Sequence, residues 1–278
     1  MLVNLGQVLK PAQEGKYAVG LFNTTDTDML EAAIWAAEEL RSPIIIGTAE
    51  VLLPYGDLKL IGPSLVSVAK NARVPVVVNF DHGYSFDRCL EALKLGFTSV
   101  MYDKSAEKYE DNIRKTAEMV KIAHSFGASV EGEIGHVGEA AKNDNLATDM
   151  YTTPAEAKSF YEATGVDALA VAIGSAHGVY KTKPRLNIER LKEIRKAVDV
   201  PLVLHGGSGL SDDDFRNTIR EGIAKVNIFT DLCIAGEAAM KGGEENEIGY
   251  LKTRNLKVNV IKEMIKKKIR LFGSEGKA

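Results

Sequence analysis

Eight short runs rich in β-branched and aliphatic residues recur along the chain, and their alternation with helical segments limits the folds open to it. The runs are Ala18–Phe22, Pro43–Gly47, Val74–Val78, Thr98–Tyr102, Ala128–Ile134, Ala168–Ile173, Pro201–Leu204 and Ala224–Ile228. Between them, Met29–Leu40, Phe86–Leu95, Tyr109–Phe126, Pro154–Ala163 and Ile188–Val198 carry apolar residues at spacings of three and four, the period of an amphipathic helix. A strand that is apolar throughout, such as Val76-Val77-Val78, suits a parallel sheet whose outer face is covered by helices. Eight strand-then-helix units favour closure into a (β/α)8 TIM barrel over an open sheet. Barrels of this kind reach 278 residues as one unit, and no linker or low-complexity tract divides the sequence, so a single domain over 1–278 is expected.

Local signals agree with this division. Thr153-Pro154 places an N-cap before proline at a first helical position, and Ser211 precedes Asp212, Asp213 and Asp214, where a helix dipole favours negative charge. The segment Glu139–Thr152 has neither period and reads either as a lid or as a surface excursion. The run Lys257–Lys268 is basic and amphipathic and reads as a solvated helix face. A net charge of −3 excludes a general polyanion-binding field, so no nucleic-acid partner is expected. No stretch has the length of a membrane span, and none opens the chain as a signal peptide would. Cys89 and Cys233 lack CxxC spacing, and the expected location is the cytoplasm.

Three of the five histidines fall at the ends of predicted strands: His82 after the third, His177 after the sixth and His205 after the seventh. A parallel barrel brings all these ends to one face, where barrel enzymes build their sites. Three imidazoles would hold a zinc ion and leave a fourth position open. His124 and His136 lie elsewhere and are not read as ligands. Asp81, beside His82, reads either as a general acid/base or as a carboxylate that only orients an imidazole. Gly206-Gly207-Ser208-Gly209 turns from the seventh strand toward a helix and exposes backbone N–H groups, as a phosphate cradle requires. Asn227 and Thr230 follow at the eighth strand's end, and Lys181 follows His177-Gly178, so a small phosphorylated substrate is expected.

In combination, Val19–Asn23, Asp81-His82-Gly83, Tyr102-Asp103, Val130-Glu131-Gly132-Glu133-Ile134-Gly135, Asp167–Lys181, His205–Gly209 and Lys225–Asp231 resemble the class II, metal-dependent ketose-bisphosphate aldolases over nearly the full length. The resemblance implies an oligomeric barrel, a homodimer or homotetramer, that cleaves fructose or tagatose 1,6-bisphosphate to dihydroxyacetone phosphate and glyceraldehyde 3-phosphate. It implies that His82, His177 and His205 hold zinc, a Lewis acid toward the ketone, and that Asp81 moves the proton of the hydroxyl at the bond being broken. Gly178, Gly206, Gly207, Ser208, Asn227 and Thr230 would hold one phosphate, with Lys181 near it and a sodium or potassium ion bound by backbone oxygens. Asp103 and Glu133 match positions that hold the metal outside its catalytic pose, and Asn23 and Thr48 are candidates for the rest of the substrate.

Two positions depart from the family pattern. Asn79 stands where histidine is frequent, and Gly138-Glu139-Ala140-Ala141-Lys142 replaces a loop that usually supplies a proton-transferring glutamate, leaving Glu139 as the candidate for that role. These departures keep open an altered keto-phosphate substrate or a phosphosugar-binding protein with impaired catalysis. A metal-dependent hydrolase on the same barrel is a third reading.

Overall fold

The computed structural model describes residues 1–135, 137–139, 151–180, 182, 184–241 and 249–278. Lys181, His136 and most of the segment Glu139–Thr152 therefore lie outside the described residues, as does the side chain of Glu139.

Eight parallel strands close into a barrel: β1 (Val19–Asn23), β2 (Ile44–Ala49), β3 (Val76–Gly83), β4 (Ser99–Tyr102), β5 (Ser129–Ile134), β6 (Ala168–Val171), β7 (Leu202–Leu204) and β8 (Ile223–Ile228). Each pairs with its sequence neighbours, and Lys225–Ile228 of β8 return to Val19–Phe22 of β1 to shut the ring. The (β/α)8 expectation is met, because strands buried on both faces find helices outside and one another inside. Of the expected strand ends, the third differs most: β3 continues past Val78 to Gly83.

Helix α1 (Leu5–Gly15), in a segment not read as helical from sequence, stops the N-terminal end of the barrel. Asn4 and Gln7 form a capping box at its start. Leu5, Val8, Leu9 and Ala12 lie on one face and pack against Val19, Leu21, Ile45, Val77, Ala168, Ala170, Val203 and Ala224, the lower interior of the barrel. Burying each of the three large side chains contributes about 1.5–3 kcal/mol. Among the described residues the opposite, C-terminal mouth stays open.

The outer ring is α2 (Thr27–Glu39), α3 (Leu58–Asn71), α4 (Phe86–Leu95), α5 (Tyr109–Ser125), α6 (Pro154–Thr164), α7 (Ile188–Ala197) and α8 (Asp212–Arg220), completed by α9 (Thr230–Lys241) and α10 (Tyr250–Phe272). The caps expected at Thr153 and Ser211 both form, each as a capping box with the residue three positions on. The basic run belongs to α10. There Val258, Ile261, Ile265, Ile269 and Phe272 are buried, while Lys257, Lys266 and Lys268 pair with Asp26, Glu39 and Asp231 at 2.6, 2.7 and 2.7 Å. Its charges therefore tie α10 to α2 and α9. Among the described residues no helix is long and apolar enough to cross a membrane.

Candidate active site

Along a strand, neighbouring side chains point to opposite faces, so Asp81 and His82 could not both enter the barrel mouth from regular β3. The backbone solves this locally. His82 adopts φ 42°, and the register of β3 against β4 shifts between Phe80 and Gly83. Such a bulge re-aims a side chain, and both Asp81 and His82 line the cavity at the mouth. A left-handed histidine costs about 1 kcal/mol or more, offset here by its contact with Asp103: His82 Nδ1 lies 2.8 Å from Asp103 Oδ2.

Three imidazoles meet above the barrel core. Ring centroids are 4.6 Å apart for His82 and His205, 4.8 Å for His82 and His177, and 5.6 Å for His177 and His205. Residues Ala176–His177 form a short strand whose backbone pairs in parallel with Gly138–Glu139, so the main chain at Glu139 runs beside His177. His205, just past β7, is fully buried; its Nε2 lies 2.7 Å from Glu131 Oε1, and its Nδ1 lies 2.8 Å from His82 Nε2.

These contacts orient the rings. A carboxylate accepts an N–H from the far nitrogen of each, Nδ1 of His82 and Nε2 of His205, which turns the other nitrogen inward as a lone-pair donor. Burial alone would lower the His82 imidazolium, but the charge of Asp81 and the hydrogen bond to Asp103 overcome it and raise its pKa to about 9. His205 is pushed well below the ordinary histidine value by burial, reinforced by the charges of His82 and Lys225. Burial would raise Asp103, yet its hydrogen bond to His82 holds it well below the carboxylate range. Glu133 goes the other way, raised by burial and by the neighbouring Asp103 charge.

The donor set fits a divalent metal. His82, His177 and His205 offer ligand atoms within 4.8 Å of one another, as do His82, Asp103 and Glu133, and Asp81, Glu131 and His205. Glu133 Oε2 is buried without a hydrogen-bond partner, 3.5 Å from His205 Nδ1, the situation of an oxygen placed to meet a cation.

Asp81 is held from two sides. Asn23 Nδ2 donates to its Oδ2 at 2.8 Å, and Asn227 Nδ2 lies 3.1 and 3.2 Å from its two oxygens. Burial acts to raise this carboxyl, and the charges of His82, Lys225 and His205 outweigh it, so it sits below the usual value. An ionised Asp81 at the mouth can accept a proton.

Beside the histidines, Gly178, Gly206, Gly207, Ser208, Asn227 and Thr230 all line the same cavity of about 300 Å³. Gly206 has φ 64°, and a Cβ there would lie 2.3 Å from the carbonyl oxygen of Ala176, so no other residue fits this turn. The Ser208 hydroxyl accepts from the backbone N–H of Phe229 at 3.3 Å and of Asp231 at 3.2 Å, tying the glycine turn to the start of α9. Glycine-rich backbone beside a helix N-terminus is a setting for an anion.

Among the weaker candidates, Asn23 lines the cavity and holds Asp81, whereas Thr48 is buried and does not line it; its strand neighbour Ala49 does. His124 is remote and pairs with Asp167 at 2.9 Å. Sequence reading assigned no role to Glu131, Lys225, Val51, Leu52, Tyr84 or Phe229. For the first two a signal existed: Glu131 and Lys225 are charged residues set inside apolar strands.

The chain matches the family model described as fructose-bisphosphate aldolase class-II over residues 3–277. It is 43% identical to the protein YdjI of Escherichia coli strain K12 and 39% identical to a fructose-bisphosphate aldolase of Thermus caldophilus, with 100% of both chains covered in each case. The crystal structure of the YdjI aldolase superposes with a TM-score of 0.91 at 41% identity, again over 100% of both chains. With a closed barrel, three converging histidines and full-length similarity, the chain belongs to the class II fructose-bisphosphate aldolase family, whose members are metal-dependent lyases.

Proposed function

We propose that this protein catalyses the reversible, zinc-dependent aldol cleavage of a phosphorylated ketose, releasing dihydroxyacetone phosphate and an aldehyde, with the bisphosphates of fructose and tagatose as the first substrates to assay. The observation that carries this reading is the placement of Asp81, His82, His177 and a glycine-rich anion cradle around one cavity, with His205 buried against the other two imidazoles. His82, His177 and His205 would hold the zinc, which when bound supplies a Lewis acid to the ketone oxygen.

The remaining steps belong to the chain. Gly178, the Gly206–Ser208 turn, Asn227 and Thr230 hold the phosphate on C1 and thereby fix the three-carbon half. Asp81, kept ionised by the neighbouring positive charges and oriented by Asn23 and Asn227, takes the proton of the C4 hydroxyl as the C3–C4 bond breaks, so that C4 leaves as an aldehyde. C3 then gains a proton to complete dihydroxyacetone phosphate, with Glu139 the candidate donor. Lys181 is proposed near the phosphate, together with a sodium or potassium ion, and Asp103 and Glu133 as a resting position for the metal. A homodimer or homotetramer working in the cytoplasm completes the reading.

The test is release of dihydroxyacetone phosphate from both bisphosphates, with metal measured on the same sample. Chelation should abolish it, and borohydride should trap no lysine adduct; a trapped imine would overturn the reading.

A further inference from the structure

Resting on the proposed aldol cleavage, we propose that the preferred substrate is phosphorylated on C1 alone, so that the aldehyde half carries no phosphate. In a ring of eight strands the ends of β2 and β3 lie across the mouth from those of β6 and β7. The glycine cradle follows β6, β7 and β8, and the histidines stand between. A ketose held by its C1 phosphate therefore runs its far end toward the residues after β2 and β3.

Among the described residues that far wall carries no charge and, the Tyr84 hydroxyl apart, is apolar. It consists of Ala49, Val51, Leu52 and Tyr84, of which Val51 and Tyr84 are 58% and 46% exposed. The nearest backbone donors are already taken: the Glu50 carboxylate accepts from the N–H of Tyr84 at 2.7 Å and of Ser85 at 2.9 Å, and from the Ser85 hydroxyl. A carboxylate thus occupies the N-terminus of α4 and sets a negative charge behind the wall. A nearby cation, Lys104, is already engaged: it donates to the carbonyl oxygen of Tyr84, lies over the Tyr102 ring at 4.6 Å and pairs with Glu107 at 3.6 Å. Among the described residues that line the cavity, none is lysine or arginine.

A phosphate dianion against Val51, Leu52 and the Tyr84 ring would give up water for aliphatic carbon beside Glu50, an unfavourable exchange. A hydroxylated or deoxygenated carbon end loses little there and can pack on the same side chains. The wall thus selects by charge, and the class of acceptor it fits is a neutral aldehyde, from glyceraldehyde upward in length.

The condensation direction tests this whatever the C4 configuration of the product. Metal-loaded protein is given dihydroxyacetone phosphate with either racemic glyceraldehyde or racemic glyceraldehyde 3-phosphate, and kcat/KM is compared. Glyceraldehyde should be favoured by about tenfold or more, and Val51→Arg, an exposed change that places a cation on the wall, should narrow that ratio by about tenfold. Equal or better use of glyceraldehyde 3-phosphate by the unaltered protein, or a ratio indifferent to Val51→Arg, overturns the charge-selective wall while leaving the aldol reading intact. Failure to join dihydroxyacetone phosphate to any aldehyde overturns both.

Discussion

His205 Nε2 lies 2.7 Å from Glu131 Oε1, and neither side chain has any exposed surface. The other oxygen of Glu131 is 2.7 Å from Lys225 Nζ, an ion pair out of line for a hydrogen bond, and Lys225 also donates to Asn227 Oδ1 at 2.8 Å. Asn227 in turn holds Asp81. One buried cation is thereby connected through Glu131 to a proposed metal ligand and through Asn227 to the proposed proton acceptor.

Removing that cation strands a buried charge. Lys225→Met should destabilise the fold by about 3–5 kcal/mol, because the buried Glu131 carboxylate loses its cation and keeps only the His205 contact. Chemical denaturation measures it, and the double variant with Glu131→Gln should recover part of the loss. Equal stability of the single variant and the parent would mean that the Lys225–Glu131 pair contributes nothing to the fold.

His205→Ala should remove one of three imidazoles and lower bound zinc to trace levels after dialysis, as read by elemental analysis. The barrel itself should persist, since β7 keeps Leu202, Val203 and Leu204 buried. Full retention of zinc would assign the ion to other side chains.

Asp81→Ala should keep its zinc yet lower turnover by about 10²–10⁴-fold, the range of a lost general acid/base. Loss of the metal along with turnover would instead make Asp81 a support for the histidines.

Gly206→Ala forces a side chain into a left-handed turn and against the carbonyl oxygen of Ala176. The cradle must shift, so the variant should bind dihydroxyacetone phosphate at least about tenfold more weakly, as calorimetry would show. Unchanged affinity would place the phosphate away from this turn.

Metal affinity should depend on pH. In the metal-free protein His82 has its pKa raised to about 9, so it is charged below that value and must lose its proton to bind zinc. Affinity should therefore fall with acidification, by about tenfold for each unit below pH 9. Competition titrations with a zinc indicator at about pH 6 and about pH 8 measure the slope, and a flat response would mean that His82 is already neutral in the metal-free state.

The alternation of apolar runs with helical periods determined the barrel, and the barrel determined that residues after strands three, six and seven share one face. For that reason His82, His177, His205 and the Gly206–Gly209 turn were legible from sequence: their meeting follows from strand order alone. Thr48 was misplaced and Lys225 overlooked because the deciding facts are tertiary. Which face of β2 turns inward depends on its register with β1 and β3, and that inward face carries Ala49 to the cavity instead of Thr48. Two consecutive residues, Asp81 and His82, enter one mouth only because His82 takes a left-handed backbone held by Asp103, which follows the end of the next strand. The nitrogens that His82 and His205 offer are likewise set by carboxylates from other strands, Asp103 just past β4 for His82 and Glu131 of β5, two strands away, for His205. Side-chain period is a local property of the chain, whereas partners across strands exist only once the ring has closed.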